Sequence, residues 1–203
     1  MLDRLSTARL TAERLSSEHS SELRRMFGDP VVMAHLGGVR DEAYAAEYLA
    51  RNLQHWDEHG FGVWIVRERA DGPPIGRAVL RYLSLGGVDE VEVGYAFYAD
   101  YWGRGYASEV TRRCLDVARC DLGLASVVAL TGLDNAASHR VLTKAGLTFE
   151  RECSLHGTLW ALFRVRWERL PPDATSDCRA ADRTLRVPSC AGACPHERPG
   201  GVT

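Results

Sequence analysis

The chain has 203 residues, 45% of them apolar and 26% charged, the proportions of a soluble globular protein that can bury a core. Against a prior of about 150 residues per domain, one compact domain with an extension is the economical division. The 25 basic and 27 acidic residues are scattered and leave a net charge of -2 with no basic stripe, which argues against nucleic acid as a partner. No apolar run approaches the roughly 18 residues of a membrane span, and charge interrupts the N-terminal segment every few residues. The reading is a chain without export signal or anchor, located in the cytoplasm. Six cysteines (Cys114, Cys120, Cys153, Cys178, Cys190, Cys194) then fit reduced thiols.

Loose alternation predicts a strand over 8–15, and Ser16 and Ser17 offer caps to a helix ending at Gly28-Asp29-Pro30. A short apolar turn over 31–36 follows. Asp41 caps a longer helix to about residue 58, with Tyr44, Tyr48, Leu49, Leu53 and Trp56 at helical spacing. Runs at 61–69, 75–84 and 91–98, separated by turn-rich segments at 70–74 and 86–89, predict an antiparallel meander. A helix over 106–120, a strand over 126–131 and a helix over 135–145 imply a parallel, right-handed crossover, and strands at 147–151 and 159–167 complete the pattern. The fold class is therefore mixed α/β: a mostly antiparallel sheet with one parallel pair, flanked by helices.

Composition changes at Pro171. The segment 171–203 holds five of the eight prolines and little apolar periodicity, so it is read as a disordered tail on a domain spanning 1–170. Within the tail, Cys190, Cys194 and His196 lack paired metal-ligand spacing, and no metal site is assigned.

The stretch Trp102-Gly103-Arg104-Gly105-Tyr106-Ala107-Ser108 places two glycines between the third meander strand and a helix. Such a turn brings the free amides of a helix's first turn up to an anionic group, above all a pyrophosphate, although a glycine pair also occurs as a plain turn. The loop lacks the Gly-Lys-Ser/Thr ending of a P-loop and the third glycine of a dinucleotide fingerprint. One crossover later, Asn135 caps a helix that carries Ser138 one turn along and ends at Gly146.

Together these elements resemble the GNAT superfamily of acetyl-CoA-dependent N-acetyltransferases, especially the ribosomal-protein N-terminal acetyltransferase branch, over roughly residues 8–168. The loop is similar to the family's Gln/Arg-x-x-Gly-x-Gly/Ala pattern, with Trp102 departing at the first position. Thr7-Ala8-Arg9-Leu10, Gly94-Tyr95 and the Asn135, Ser138, Lys144, Gly146 spacing match the same branch. The resemblance implies acetyl-CoA as acyl donor and an amine or peptide N-terminus as acceptor, in a monomer or homodimer. It also implies a bulged strand that splays away near Phe97 and Tyr98 to receive pantetheine, with the amide near Phe97 donating to the thioester carbonyl.

By the same resemblance the cofactor-binding residues are Phe97, Tyr98, residues Trp102 through Ser108, Asn135 and Ser138. Glu92 aligns with the glutamate that many members use as general base; the other reading puts Glu92 or Glu90 on a solvent face. The family's usual tyrosine acid aligns with Leu142, so Ser138 is the candidate proton donor, or simply a hydrogen-bonding partner for pantetheine. Lys144 fits the C-terminal dipole of its helix and Arg140 a solvated face, although either could also meet phosphate. His35, Tyr48, His55, Trp56, Trp64, Tyr82, His156 and Trp160 are candidates for the acceptor cavity, though most fit core or surface as well. A catalytically silent acyl-CoA sensor, or an interaction domain whose glycine turn is only structural, are the alternatives.

Overall fold

A computed structural model describes residues 2–155 and 157–168. The tail 171–203, with its three cysteines and His196, and also His156, lie outside the described residues.

The expected first strand is a hairpin. β1 (Arg4–Ser6) and β2 (Thr11–Arg14) are joined by a turn in which the Thr7 amide donates to the Leu10 carbonyl at 2.9 Å and the Leu10 amide to Thr7 Oγ1 at 3.0 Å. The threonine side chain supplies the local bond that ends the strand, and alternation alone cannot show it. A 3-10 turn at Ser17–His19 leads into α1 (Ser20–Phe27). Asp29 then caps the short α2 (Pro30–Met33), accepting from the amides of Val31 and Val32 at 2.8 and 3.1 Å. Asp41 caps α3 (Glu42–His59) through the Tyr44 amide at 2.8 Å.

The meander consists of β3 (Val63–Arg67), β4 (Gly76–Leu85) and β5 (Val88–Phe97). Gly86 and Gly87, at φ 61° and 81°, form the two-residue turn that suits the twist of a hairpin, so β5 starts three residues earlier than the sequence pattern indicates. Then come α4 (Tyr106–Asp116), extended by a π-helical turn at Val117–Asp121, β6 (Ser126–Thr131), α5 (Ala136–Lys144), β7 (Thr148–Leu155) and β8 (Thr158–Arg166). All eight strands form one sheet in the order β1-β2-β3-β4-β5-β6-β8-β7.

Neighbouring strands are antiparallel except β5 and β6, which meet in parallel at one register position, Glu92 opposite Val128. Before that point the strands are tied together. Arg164 on β8 reaches past β6 to Glu90 on β5, with two bonds of 2.8 and 2.7 Å, and holds Glu150 at 2.7 Å. The bond to Glu90 keeps the Arg164 pKa raised against the opposing effect of burial. Beyond Glu92 nothing pairs the two strands, and they diverge. The β4–β5 register runs unbroken from Leu85 opposite Val88 to Gly76 opposite Phe97, so the bulge expected near Phe97 is not in this ladder. Strands tied at one end and free at the other open without one.

The two sides of β5 face different helices. Tyr95 reaches Ser138 of α5, and the Phe97 ring lies 6.4 Å from Tyr106 of α4. On the other side Glu92 pairs with Arg81, and Arg77, the register partner of Ala96, lies under Phe27 of α1 and Tyr48 of α3. Trp64, Ile65, Leu80, Val110, Cys114 and Val117 are among the buried core. No helix of the described residues is long and apolar enough to cross a membrane.

Candidate active site

A cavity of about 390 Å³ lies where β5 and β6 separate, within the range of small-molecule sites. Its walls bring together residues far apart in the chain: Phe97, Trp102, Gly103, Gly105, Tyr106, Ala107 and Ser108 on one side, Asn135 and Ser138 on another. His35, Arg140 and Lys144 also line it. Tyr98 does not, since its ring is buried with Met26, Val32 and Ala96 and lies 4.6 Å from the Arg25 guanidinium. Nor does Arg104, which turns outward to Glu68 at 3.3 Å.

The strand alternation explains how backbone groups reach the cavity. The Tyr98 amide donates to the Ile75 carbonyl across the ladder at 3.0 Å, so the amides of Tyr95 and Phe97 point the other way, into the gap beside β6. The Phe97 carbonyl on that side accepts from Trp102 Nε1 at 2.8 Å. The indole thus caps the open edge, while the Phe97 amide is left facing a ligand that could extend the sheet.

The glycine turn supplies the second feature. Gly103 and Gly105 take φ of 73° and 81°, the left-handed region that other residues enter only with strain. Gly105 is the N-cap of α4, so the first-turn amides, which have no acceptor within the helix, converge on the cavity end. Asn135 caps α5 by accepting from the Ser138 amide at 3.0 Å, which commits its oxygen and frees its NH2 as a donor.

This loop is held from behind by the β1–β2 hairpin. Glu109 of α4 accepts from Thr7 Oγ1 at 2.5 Å, from the Arg9 amide at 2.9 Å and from Arg9 Nε at 2.8 Å. Arg9 Nη1 also donates to the Arg104 carbonyl at 2.9 Å, and its guanidinium lies 4.6 Å from the Tyr106 ring centre. Glu68 accepts from the Tyr106 hydroxyl. Burial would raise the Glu109 carboxyl, but the bonds from Thr7 and Arg9 outweigh it and keep its pKa below the ordinary glutamate value.

Ser138 and Glu92 lie on opposite faces of β5. Ser138 Oγ accepts from the Tyr95 hydroxyl at 3.0 Å, and both residues line the cavity. Burial raises the Tyr95 pKa despite the opposing Ser138 bond, so this phenol keeps its proton at neutral pH. Tyr95 was legible only as part of the Gly-Tyr pair; its proximity to Ser138 comes from the fold. Glu92 Oε2 accepts from Arg81 Nε at 3.1 Å, and both side chains are largely covered. Leu142 is buried at 2% exposure and contributes packing.

Among the acceptor candidates, Tyr48, Trp56 and Trp64 are core residues. Of the described members of that set only His35 lines the cavity, and its Nδ1 sits 3.6 Å from Asp134. His55 and Tyr82 cluster with His59 and Phe61, and Trp160 packs beside Leu162 and Cys153. Among the described residues no group of three or more His, Cys, Asp or Glu could hold a metal ion.

Comparison with known proteins agrees with this architecture. Residues 9–148 match the family described as acetyltransferase (GNAT) domain. The protein YkkB of Bacillus subtilis (strain 168) is 29% identical over 126 residues, covering 62% of this chain and 73% of that one. The FsC-acetyl coenzyme A-N(2)-transacetylase of Aspergillus fumigatus is 32% identical over 154 residues, 71% of this chain and 64% of that protein's length. Among solved structures, an acetyltransferase from Agrobacterium tumefaciens str. C58 superposes with a TM-score of 0.72 at 24% identity, covering 81% of this chain and 94% of the other. The ribosomal L7/L12 α-N-protein acetyltransferase RimL, in complex with coenzyme A, gives 0.65 at 13% identity, covering 80% and 97%. The family match over most of the sheet, with the strand gap and glycine turn in place, shows that this chain belongs to the GNAT family of acetyltransferases, whose acyl donor is acetyl-CoA.

Proposed function

We propose that the protein transfers the acetyl group of acetyl-CoA directly to a primary amine, either a protein or peptide N-terminus or a small amine. The observation that carries this reading is the continuity of the strand gap with the amides of the α4 N-terminus in one cavity. A strand-like pantetheine arm fits the first, and a pyrophosphate the second. Lys144 and Arg140 add positive charge along the same wall. Asn135 offers its NH2 to the arm.

The thioester supplies an activated acyl carbon, and the protein supplies the rest. The Phe97 amide donates to the carbonyl oxygen, where negative charge develops as the amine attacks. The new C–N bond forms, the C–S bond breaks, and one proton must leave nitrogen while another reaches sulfur. Ser138 and Tyr95 deliver the second: the serine hydroxyl faces the cavity, and the phenol behind it replaces its proton. Glu92 takes the first through water. Glu92 is not among the residues lining the cavity; Gly94 stands between it and the Ala96 wall on the same face of the strand, so the relay must pass that glycine. Arg81 orients the carboxylate through its Nε.

The reading is tested by calorimetric titration with acetyl-CoA, with adenosine 3′,5′-bisphosphate and NAD as controls, followed by a coenzyme A release assay over peptide N-termini and small amines. Saturable micromolar binding, about -8 kcal/mol, with turnover supports it. Binding with no turnover on any amine would favour a sensor, and no binding would end the proposal. Loss of turnover but not of binding in Glu92→Gln is the result expected if Glu92 is the base.

A further inference from the structure

Six buried side-chain polar atoms among the described residues make no hydrogen bond, and three of them sit together: Nε and Nη1 of Arg77 and the hydroxyl of Tyr48. The other three are scattered, on Thr11, Arg113 and Arg119. The Arg77 guanidinium is 4.8 Å from the Phe27 ring centre and 4.7 Å from that of Tyr48, while Arg77 as a whole is 9% exposed. The two rings meet the faces of the cation but give its N–H groups no oxygen. A buried guanidinium is normally paired with an anion, and a buried phenol normally finds a partner.

Among the described residues no side chain on this face supplies the missing acceptor. Arg81, on the same strand face, is 5.6 Å from the Tyr48 ring and has the carboxylate of Glu92 for itself. Glu90 is held by Arg164. Glu42 of α3 pairs with Arg24. Arg40, over Tyr44, adds another positive charge. The cluster therefore carries more cations than carboxylates, and its spare donors lie one strand from the reaction cavity: Arg77 is the register partner of Ala96, which lines that cavity beside Val32 and Leu36.

We propose that Arg77 and Tyr48 form an anion subsite, and that the acceptor amine carries a carboxylate that docks there. A planar guanidinium offers a carboxylate two parallel N–H donors, and the phenol adds a third. The subsite rests on the acetyl-transfer reading and narrows it. Polyamines and other polycations are disfavoured by the spare positive charge. The carboxylate is either the main-chain group of a free amino acid or the acidic side chain of a residue next to a peptide N-terminus. Tyr48 is 3% exposed and packs edge-on against Phe27, so docking requires its side chain to give way and turn its hydroxyl onto the incoming oxygen.

The test uses the full-length protein and matched pairs: free amino acids against their amides, and peptides with aspartate against asparagine at the second position. Coenzyme A release should favour the charged member of one pair type by at least about tenfold in kcat/KM, and which pair does so identifies the source. N-acetylated amino acids should bind the coenzyme A-loaded protein by calorimetry more tightly than their amides. Arg77→Met should bring the ratios towards one, Arg77→Lys should restore part of the preference, and Tyr48→Phe should reduce it without losing the fold by thermal unfolding. Equal use of charged and neutral partners by the wild type, or a preference unchanged in Arg77→Met, overturns the subsite and leaves acetyl transfer standing. Failure to bind acetyl-CoA at all would overturn the transfer reading itself, and the subsite with it.

Discussion

The two regions that flank the cavity are finished to different degrees. On the glycine-turn side the protein completes its own bonding: Glu109 has Thr7 and Arg9, Glu68 has Tyr106 and Arg104, and the loop between them is fixed before any ligand arrives. On the α3 side Arg77 and Tyr48 keep donors with no acceptor. A loop proposed to meet the same pyrophosphate every cycle gains from being rigid, because a preformed site loses little entropy on binding. A group proposed to recognise a variable partner keeps donors unspent for that partner's oxygen.

The contrast can be broken by substitution. The largest effect expected is in the chemistry between the two sides: Tyr95→Phe should lower kcat by about a hundredfold while the acetyl-CoA KM stays near its original value, read in steady-state assays. An equal loss in Ser138→Ala would support one relay rather than two independent contacts. On the bonded side, Glu109→Gln should raise the acetyl-CoA KM several-fold and cost about 1–2 kcal/mol in denaturant unfolding, because charge-assisted bonds weaken and the loop loosens.

The same variant has a pH signature. The folded Glu109 pKa lies below the unfolded value, so its contribution is fully present above about pH 4.3 and is lost as pH falls through the depressed folded value. The stability gap between wild type and Glu109→Gln should stay constant at neutral pH and close only in that acid range.

Arg77→Met should behave in the opposite way to Glu109→Gln. Removing a buried cation that has no anion, and filling its slot between two rings with a thioether, should leave thermal stability within about 1 kcal/mol of wild type or raise it. A loss of several kcal/mol would show that Arg77 is structural. The smallest effect concerns Cys114, fully buried, with burial pushing its thiol up to about 12. It should resist alkylation in the folded protein at neutral pH and react on denaturation, as followed by mass spectrometry.

Much of the fold could be read from the chain because its punctuation is local. Asp41, Gly60, Asn135 and Gly146 bound their helices by capping and by left-handed φ, and each acts within a few residues. The N-terminal hairpin could not be read from alternation, since the bond that makes it runs from a threonine side chain to an amide three residues on. Of the candidate site, the glycine turn and the α5 cap were legible as motifs. Tyr98, at the strand end, and Arg104, in the turn, are expected among the cofactor-binding residues by position, yet their side chains leave the cavity, because neighbours in a strand or tight turn point in opposite directions.

The sequence by itself determined the order of the elements after the N-terminal hairpin, the one parallel crossover, the glycine turn and, through the motifs, the family. These depend on short-range sterics and periodicity. Only the tertiary structure decided that β8 enters between β6 and β7, where Arg164 can tie Glu90 to Glu150 and close one end of the β5–β6 pair. It also decided that Tyr95 meets Ser138, and that Arg77 and Tyr48 are buried together without an anion. Those contacts join residues tens of positions apart, and their partners are chosen by packing of whole faces rather than by any local preference.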